Sequence, residues 1–101
     1  MDKSVFTPLY EHFRRKLVEF RVVAGLTQRD LARKLRREHS FVSRIELGER
    51  RLDVVEFFWI LNALDQDPVR TAADLMREFA GIEAEEKVPN PPGRRRSVRR
   101  R

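Results

Sequence analysis

Residues 27–46, TQRDLARKLRREHSFVSRIE, decide how this chain folds. They read as two short helices joined by a tight turn. Thr27 has the hydroxyl of an N-cap, with Gln28 in the first turn behind it. Leu31, Ala32 and Leu35 then form one narrow apolar stripe. In the second helix Val42 and Ile45 share a face, while His39, Ser40, Ser43 and Arg44 occupy the opposite one. That opposite face carries hydrogen-bonding groups and a guanidinium but little bulk. Such a surface fits the major groove of B-DNA, where base edges present donors and acceptors. The expectation is a helix that reads double-stranded DNA.

The length of 101 residues allows one small domain. The chain has no cysteine, hence no disulfide framework and no thiolate metal site. No apolar run approaches the roughly 20 residues that span a bilayer, and MDKSVFTPLY at the N-terminus lacks the apolar core of a signal peptide. The expected location is the cytoplasm.

The formal net charge is +6, and its distribution matters more than its size. Six arginines, at 94–96 and 99–101, account for all of it, so residues 1–93 are neutral overall. Within that neutral body, residues 14–51 hold 12 Lys/Arg against 5 Asp/Glu, and residues 52–93 hold 3 against 9. A basic half facing phosphates and an acidic half facing away is the electrostatic pattern of a DNA binder; an unevenly charged solvated surface is the plainer alternative.

Outside the central pair, three further helices are expected and no strand, which makes the fold all-α. Thr7-Pro8 supplies a cap and a proline at the first helical position. That helix runs towards Gly25, with Phe13, Leu17, Phe20 and Ala24 as its inner stripe. Gly48 ends the third helix. Asp53 caps a fourth that reaches about Leu64, itself apolar, with Val54, Phe57, Phe58, Ile60 and Leu61 supplying the inner face. Asp67-Pro68 opens a fifth that ends near Gly81. The organisation expected is a domain over residues 1–82, followed by a disordered Pro/Arg-rich basic tail over 83–101.

Arg21 and Glu46 form a pair on periodicity alone. Glu46 lies one turn after Val42 and beside Ile45, so its carboxylate points towards the core side. Arg21 lies one turn after Leu17, on the inward flank of the first helix. A partly buried carboxylate needs a partner, and a charge-assisted bond to Arg21 satisfies both groups. Two ordinary surface charges are the alternative.

From Leu17 to Pro68 the chain resembles the phage-repressor, Cro-type (XRE) helix-turn-helix family. Arg21, Gly25-Leu26-Thr27-Gln28, Leu31-Ala32, Leu35, Val42-Ser43, Ile45-Glu46, Gly48, Leu52 and Leu64 carry the resemblance. It implies a compact, lambda-repressor-like bundle of about five helices, with the third helix in the major groove of DNA. It implies a transcriptional regulator, a repressor that binds an inverted repeat as a homodimer. It also implies roles residue by residue: base reading by His39, Ser40, Ser43 and Arg44; phosphate contacts from Thr27 and Gln28 at a helix N-terminus; more from Arg50 and Arg51 in the loop after the reading helix; and Arg21 with Glu46 as the buried pair. Arg44 has the geometry either to chelate guanine O6 and N7 or to clamp a phosphate.

The chain departs from the family at the turn, where Arg36 and Arg37 replace a glycine and a small apolar residue. Either an arginine adopts φ > 0 there or the helix runs on; Arg37 is also a candidate phosphate contact. Val55 and Trp59, one turn apart on the fourth helix, replace polar residues. They form either a dimer or partner surface or a patch covered by the fifth helix. No catalytic constellation, metal site, cofactor site or small-molecule ligand domain is expected, because His12 and His39 lie on different helices and neither has a neighbouring acid–nucleophile arrangement. The competing reading is an antitoxin-type module that binds a protein partner and represses its own promoter. For the arginine tail three readings stand: DNA support, binding of RNA or another polyanion, or inertness save as an address or for a partner.

Overall fold

Five helices follow one another in the computed structural model, which describes residues 7–86. They are α1 (Pro8–Val23), α2 (Gln28–Leu35), α3 (His39–Leu47), α4 (Val54–Ala63) and α5 (Pro68–Glu86). Local chemistry sets most of the boundaries. Thr7 accepts from the Tyr10 N–H, and Pro8 supplies a helical φ. Thr27 with Asp30, and Asp53 with Glu56, each form a reciprocal capping box at the start of α2 and α4. Gly25 and Gly48 take φ of +78° and +82°, which lets the chain turn away after α1 and α3 at little steric cost.

The core gathers Phe13 and Leu17 from α1, Leu31 and Ala32 from α2, and Phe41, Val42 and Ile45 from α3. Phe57, Ile60, Leu61 and Leu64 from the α4 segment and Leu75 from α5 complete it. Phe13 meets Phe57 edge to face with centroids 5.0 Å apart. The α2–α3 pair therefore rests on a platform of α1 and α4, while α5 closes the far side against α1 and α4.

Three expectations about this frame are corrected. Ala24 is not part of the inner stripe of α1; it caps the helix end and is exposed. In α4, Val54 and Phe58 face outward, 78% and 50% exposed. The α4 sequence VVEFFWILNA is apolar almost all round, so periodicity alone does not mark its inner side; packing selects Phe57, Ile60, Leu61 and Leu64, at i, i+3, i+4 and i+7. Finally, α5 does not stop near Gly81 but continues to Glu86, so residue 82 falls inside the helix. Gly81 has open space around it, no positive φ is imposed there, and the following IEAEE contains good helix formers. The arginine tail lies outside the described residues.

The turn between α2 and α3 takes the first of its two alternatives. Arg36 adopts the left-handed conformation, φ 59° and ψ 41°, and the Arg37 N–H donates to the Ala32 carbonyl at 2.9 Å. This is a Schellman closure with arginine where glycine is the usual residue. A side chain in that region is disfavoured by about 1–2 kcal/mol, while glycine loses more entropy on folding. Arg36→Gly is therefore expected to stabilise the fold by roughly 0.5–1 kcal/mol in urea unfolding. A loss of stability would show that the Arg36 side chain contributes more than its conformation costs.

Candidate nucleic-acid interface

The buried side of α3 is held by one carboxylate. Glu46 is 8% exposed and receives the Arg21 guanidinium through two bonds, Nε to Oε2 at 2.7 Å and Nη2 to Oε1 at 2.9 Å. Arg21 also donates to the Leu26 carbonyl at 2.9 Å, so it ties the α1–α2 connection to the same point. Arg14 adds a contact not expected from the sequence: its guanidinium donates to the Glu46 backbone carbonyl and pairs with Glu11. A cation at the last turn of α3 also complements the negative end of the helix. Its only sequence signal is its position one turn before Leu17 and Val18 on α1.

Glu46 has a third partner. Gln28 Nε2 donates to Glu46 Oε1 at 2.8 Å, and Gln28 Oε1 lies 3.1 Å from His39 Nε2. A continuous chain of polar contacts thus runs from Arg21 on α1 through Glu46 and Gln28 to His39, the first residue of α3. The Gln28 side chain is occupied within the domain, which leaves its backbone N–H for an external contact. At that same helix end the Asp30 carboxylate takes the Thr27 N–H at 2.9 Å. This bond from the Thr27 backbone holds the Asp30 carboxyl below its ordinary range.

Opposite the buried face of Phe41, Val42, Ile45 and Glu46, α3 presents His39 and Ser43 half-buried and Ser40 and Arg44 exposed. Ser43 Oγ lies 3.4 Å from the Ser40 carbonyl, a weak contact that leaves the hydroxyl available. Leu47, 68% exposed, continues this outer face and did not stand out from the sequence. The α3 N-terminus has no side-chain cap.

The flanking arginines differ in how free they are. The Arg37 guanidinium stacks on the Phe41 ring, 3.8 Å from its centroid, with Arg50 also near that ring at 4.8 Å. Arg50 makes two bonds of 2.9 Å to Glu56, and these hold the Glu56 carboxyl below its ordinary range. Arg51 lies over Tyr10, whose hydroxyl accepts from the Leu52 N–H. Arg50 and Arg51 therefore brace the α3–α4 loop. Trp59 is 53% exposed and borders a groove with Leu35, Arg36, Arg37, Phe41 and Ile60; α5 does not cover it. Val55 and Phe58 stand beside it at the spacing of one helical face, both 50% exposed. Among the described residues no cluster of three metal-ligating side chains exists, and no helix is long and apolar enough to cross a membrane.

Two helices joined by a tight turn, the second braced from behind and polar in front, define a helix-turn-helix DNA-binding protein. A family model described as a helix-turn-helix domain matches residues 12–74. Among solved structures, the chain is similar to an XRE-family like protein from Pseudomonas syringae pv. tomato str. DC3000. The match has 36% identity and a TM-score of 0.66, and covers 79% of this chain and 93% of that one. The chain belongs to the XRE-type helix-turn-helix family and is a DNA-binding regulator. A comparison with curated proteins returns no match.

Removing the Glu46 carboxylate leaves the Arg21 guanidinium, 14% exposed, without its counter-charge. Glu46→Ala is expected to lower stability by about 3–5 kcal/mol in chemical denaturation. Replacing both partners, Arg21→Met with Glu46→Leu, should recover much of that loss, because two apolar groups leave no buried charge unpaired. A Glu46→Ala protein as stable as the parent would remove the pair from the account of the fold.

Proposed function

We propose that this protein is a transcriptional repressor that binds an inverted repeat as a homodimer, with α3 of each copy in the major groove. The observation that carries the reading is the division of α3. One face is buried and locked through Glu46, and the other offers His39, Ser40, Ser43 and Arg44 clear of the core. Arg44 has no partner among the described residues, and it chelates guanine through O6 and N7. Ser40 and Ser43 are small enough to let the helix approach the base edges.

Phosphates flank this helix on two sides. At the α2 N-terminus the free backbone N–H groups after Thr27, at Gln28 and Arg29, face one phosphate. Arg37, Arg50 and Arg51 line the other side. The six C-terminal arginines supply sequence-blind attraction to the same polyanion. The dimer seam is the outward stripe of Val55, Phe58 and Trp59 on α4, large apolar side chains left uncovered by the domain itself. Two copies joined there read half-sites about one helical turn apart, and a dimer seated on a promoter represses by occupying it. The protein acts on prokaryotic chromosomal DNA, in the cytoplasm.

Selection of bound duplexes from a randomised pool tests the whole reading. A two-fold-symmetric consensus is expected, and uniform recovery of sequences would overturn it. Within that consensus, Arg44→Ala should weaken binding by about 1–3 kcal/mol and relax the preference at one guanine per half-site. In sedimentation at micromolar concentration Trp59→Glu should shift the dimer to monomer; an unchanged dimer excludes Trp59 as the seam. Deleting residues 94–101 should weaken binding to all sequences alike and make the salt dependence shallower, by up to about 5 in the log–log slope for six arginines. An unchanged slope would take the tail out of DNA binding.

A further inference from the structure

The polar chain behind α3 has a consequence for the base that His39 meets. An ionised carboxylate only accepts hydrogen bonds. Glu46 Oε1 is bonded to the Gln28 side chain at 2.8 Å, so the atom Gln28 presents to it is its amino group. The amide orientation, otherwise ambiguous between oxygen and nitrogen, is thereby determined. The Gln28 oxygen must face the other way, and it faces His39 Nε2 at 3.1 Å. A carbonyl oxygen also only accepts. His39 Nε2 therefore carries a proton.

In the neutral ring, a proton on Nε2 leaves Nδ1 with a bare lone pair. Nδ1 has no hydrogen-bond partner among the described residues. It is the ring's one remaining polar atom, and it accepts. Turning the ring over to offer a donor would break the contact to Gln28, and turning Gln28 to compensate would set its oxygen against the Glu46 carboxylate. The buried charge of Glu46 near the end of α3 thus determines, through the single intermediate Gln28 on α2, the hydrogen-bonding sense of an atom on the first residue of α3.

We infer that His39 is a specificity-determining residue that selects, through Nδ1, a base offering an exocyclic amino group in the major groove. This rests on the reading of α3 as the recognition helix. Adenine N6 and cytosine N4 are the amino donors there, whereas guanine and thymine present only acceptors at the corresponding edges. Neutral His39 pairs with the first two and sets lone pair against lone pair with the others. One position of each half-site is therefore adenine or cytosine, and it differs from the guanine read by Arg44.

Two measurements on the full-length chain at pH 8, where imidazole is ordinarily neutral, test this. Long-range 1H–15N spectra of histidine-labelled protein report the tautomer directly, and with only His12 and His39 in the chain, His39→Ala assigns the signals. The expected ring is protonated at Nε2 and bare at Nδ1, and Gln28→Leu should admit the second tautomer. An Nδ1–H ring in the parent protein overturns the inference. Duplex selection with the parent protein and His39→Ala should then show one column per half-site enriched on the order of tenfold in adenine or cytosine. That column alone should flatten in the variant. A column that favours guanine or thymine, or a consensus untouched by His39→Ala, overturns the base contact while leaving the functional reading intact. Failure of the parent protein to select any consensus removes the functional reading, and with it the base contact, whatever the tautomer.

Discussion

Everything that faces outward on α3 depends on the Glu46 carboxylate behind it. A helix of nine residues is too short to hold itself in water, and its position comes from what it buries. Phe41, Val42 and Ile45 give the burial, but apolar contacts are not directional. The bonds to Glu46 are. Arg21 reaches it from α1, Gln28 from α2, and Arg14 grips the backbone carbonyl of the same residue. Three helices thus converge on one residue, which sets both the depth and the rotation of α3. Rotation matters most for the proposed reading of DNA, since a small turn about the helix axis would move Ser40 and Arg44 away from the base edges proposed for them.

The same contacts change the meaning of the basic charge. Residues 14–51 carry 12 Lys/Arg, yet the fold uses several of them internally. Arg14 and Arg21 brace α3, Arg50 is bonded to Glu56, and the Arg37 guanidinium lies on Phe41. Arg14 and Arg21, held inside the domain, contribute to the field around it without each being a separate contact. Arg36 and Arg44 are exposed and carry charge outward from the turn and from the reading helix. Arg36 does so from a left-handed conformation, so the turn accepts a local penalty.

Much of this was legible from residue spacing. The caps at Thr7, Thr27 and Asp53, the glycines after α1 and α3, and the inward placement of Arg21 and Glu46 are local or one-turn relations. Each is set by chemistry within a few residues. The α4 face was not legible, because VVEFFWILNA has no polar side to contrast with an apolar one. Nor was the end of α5, since Gly81 ends a helix only where the chain also turns. The contacts of Gln28 and Arg14 link residues 18 and 32 positions apart, and no periodicity connects them.

The chain alone determined that there would be five helices, that the second and third would form a helix-turn-helix, and which residues of α3 would look outward. Those outcomes follow from backbone hydrogen bonding, capping and the 3.6-residue period, all short-range. The tertiary structure decided the rest: which side of α4 stays uncovered, which arginines are spent inside the domain, and how His39 is held. These are competitions between groups distant in sequence for the same neighbours, and only the packed fold determines which group obtains them.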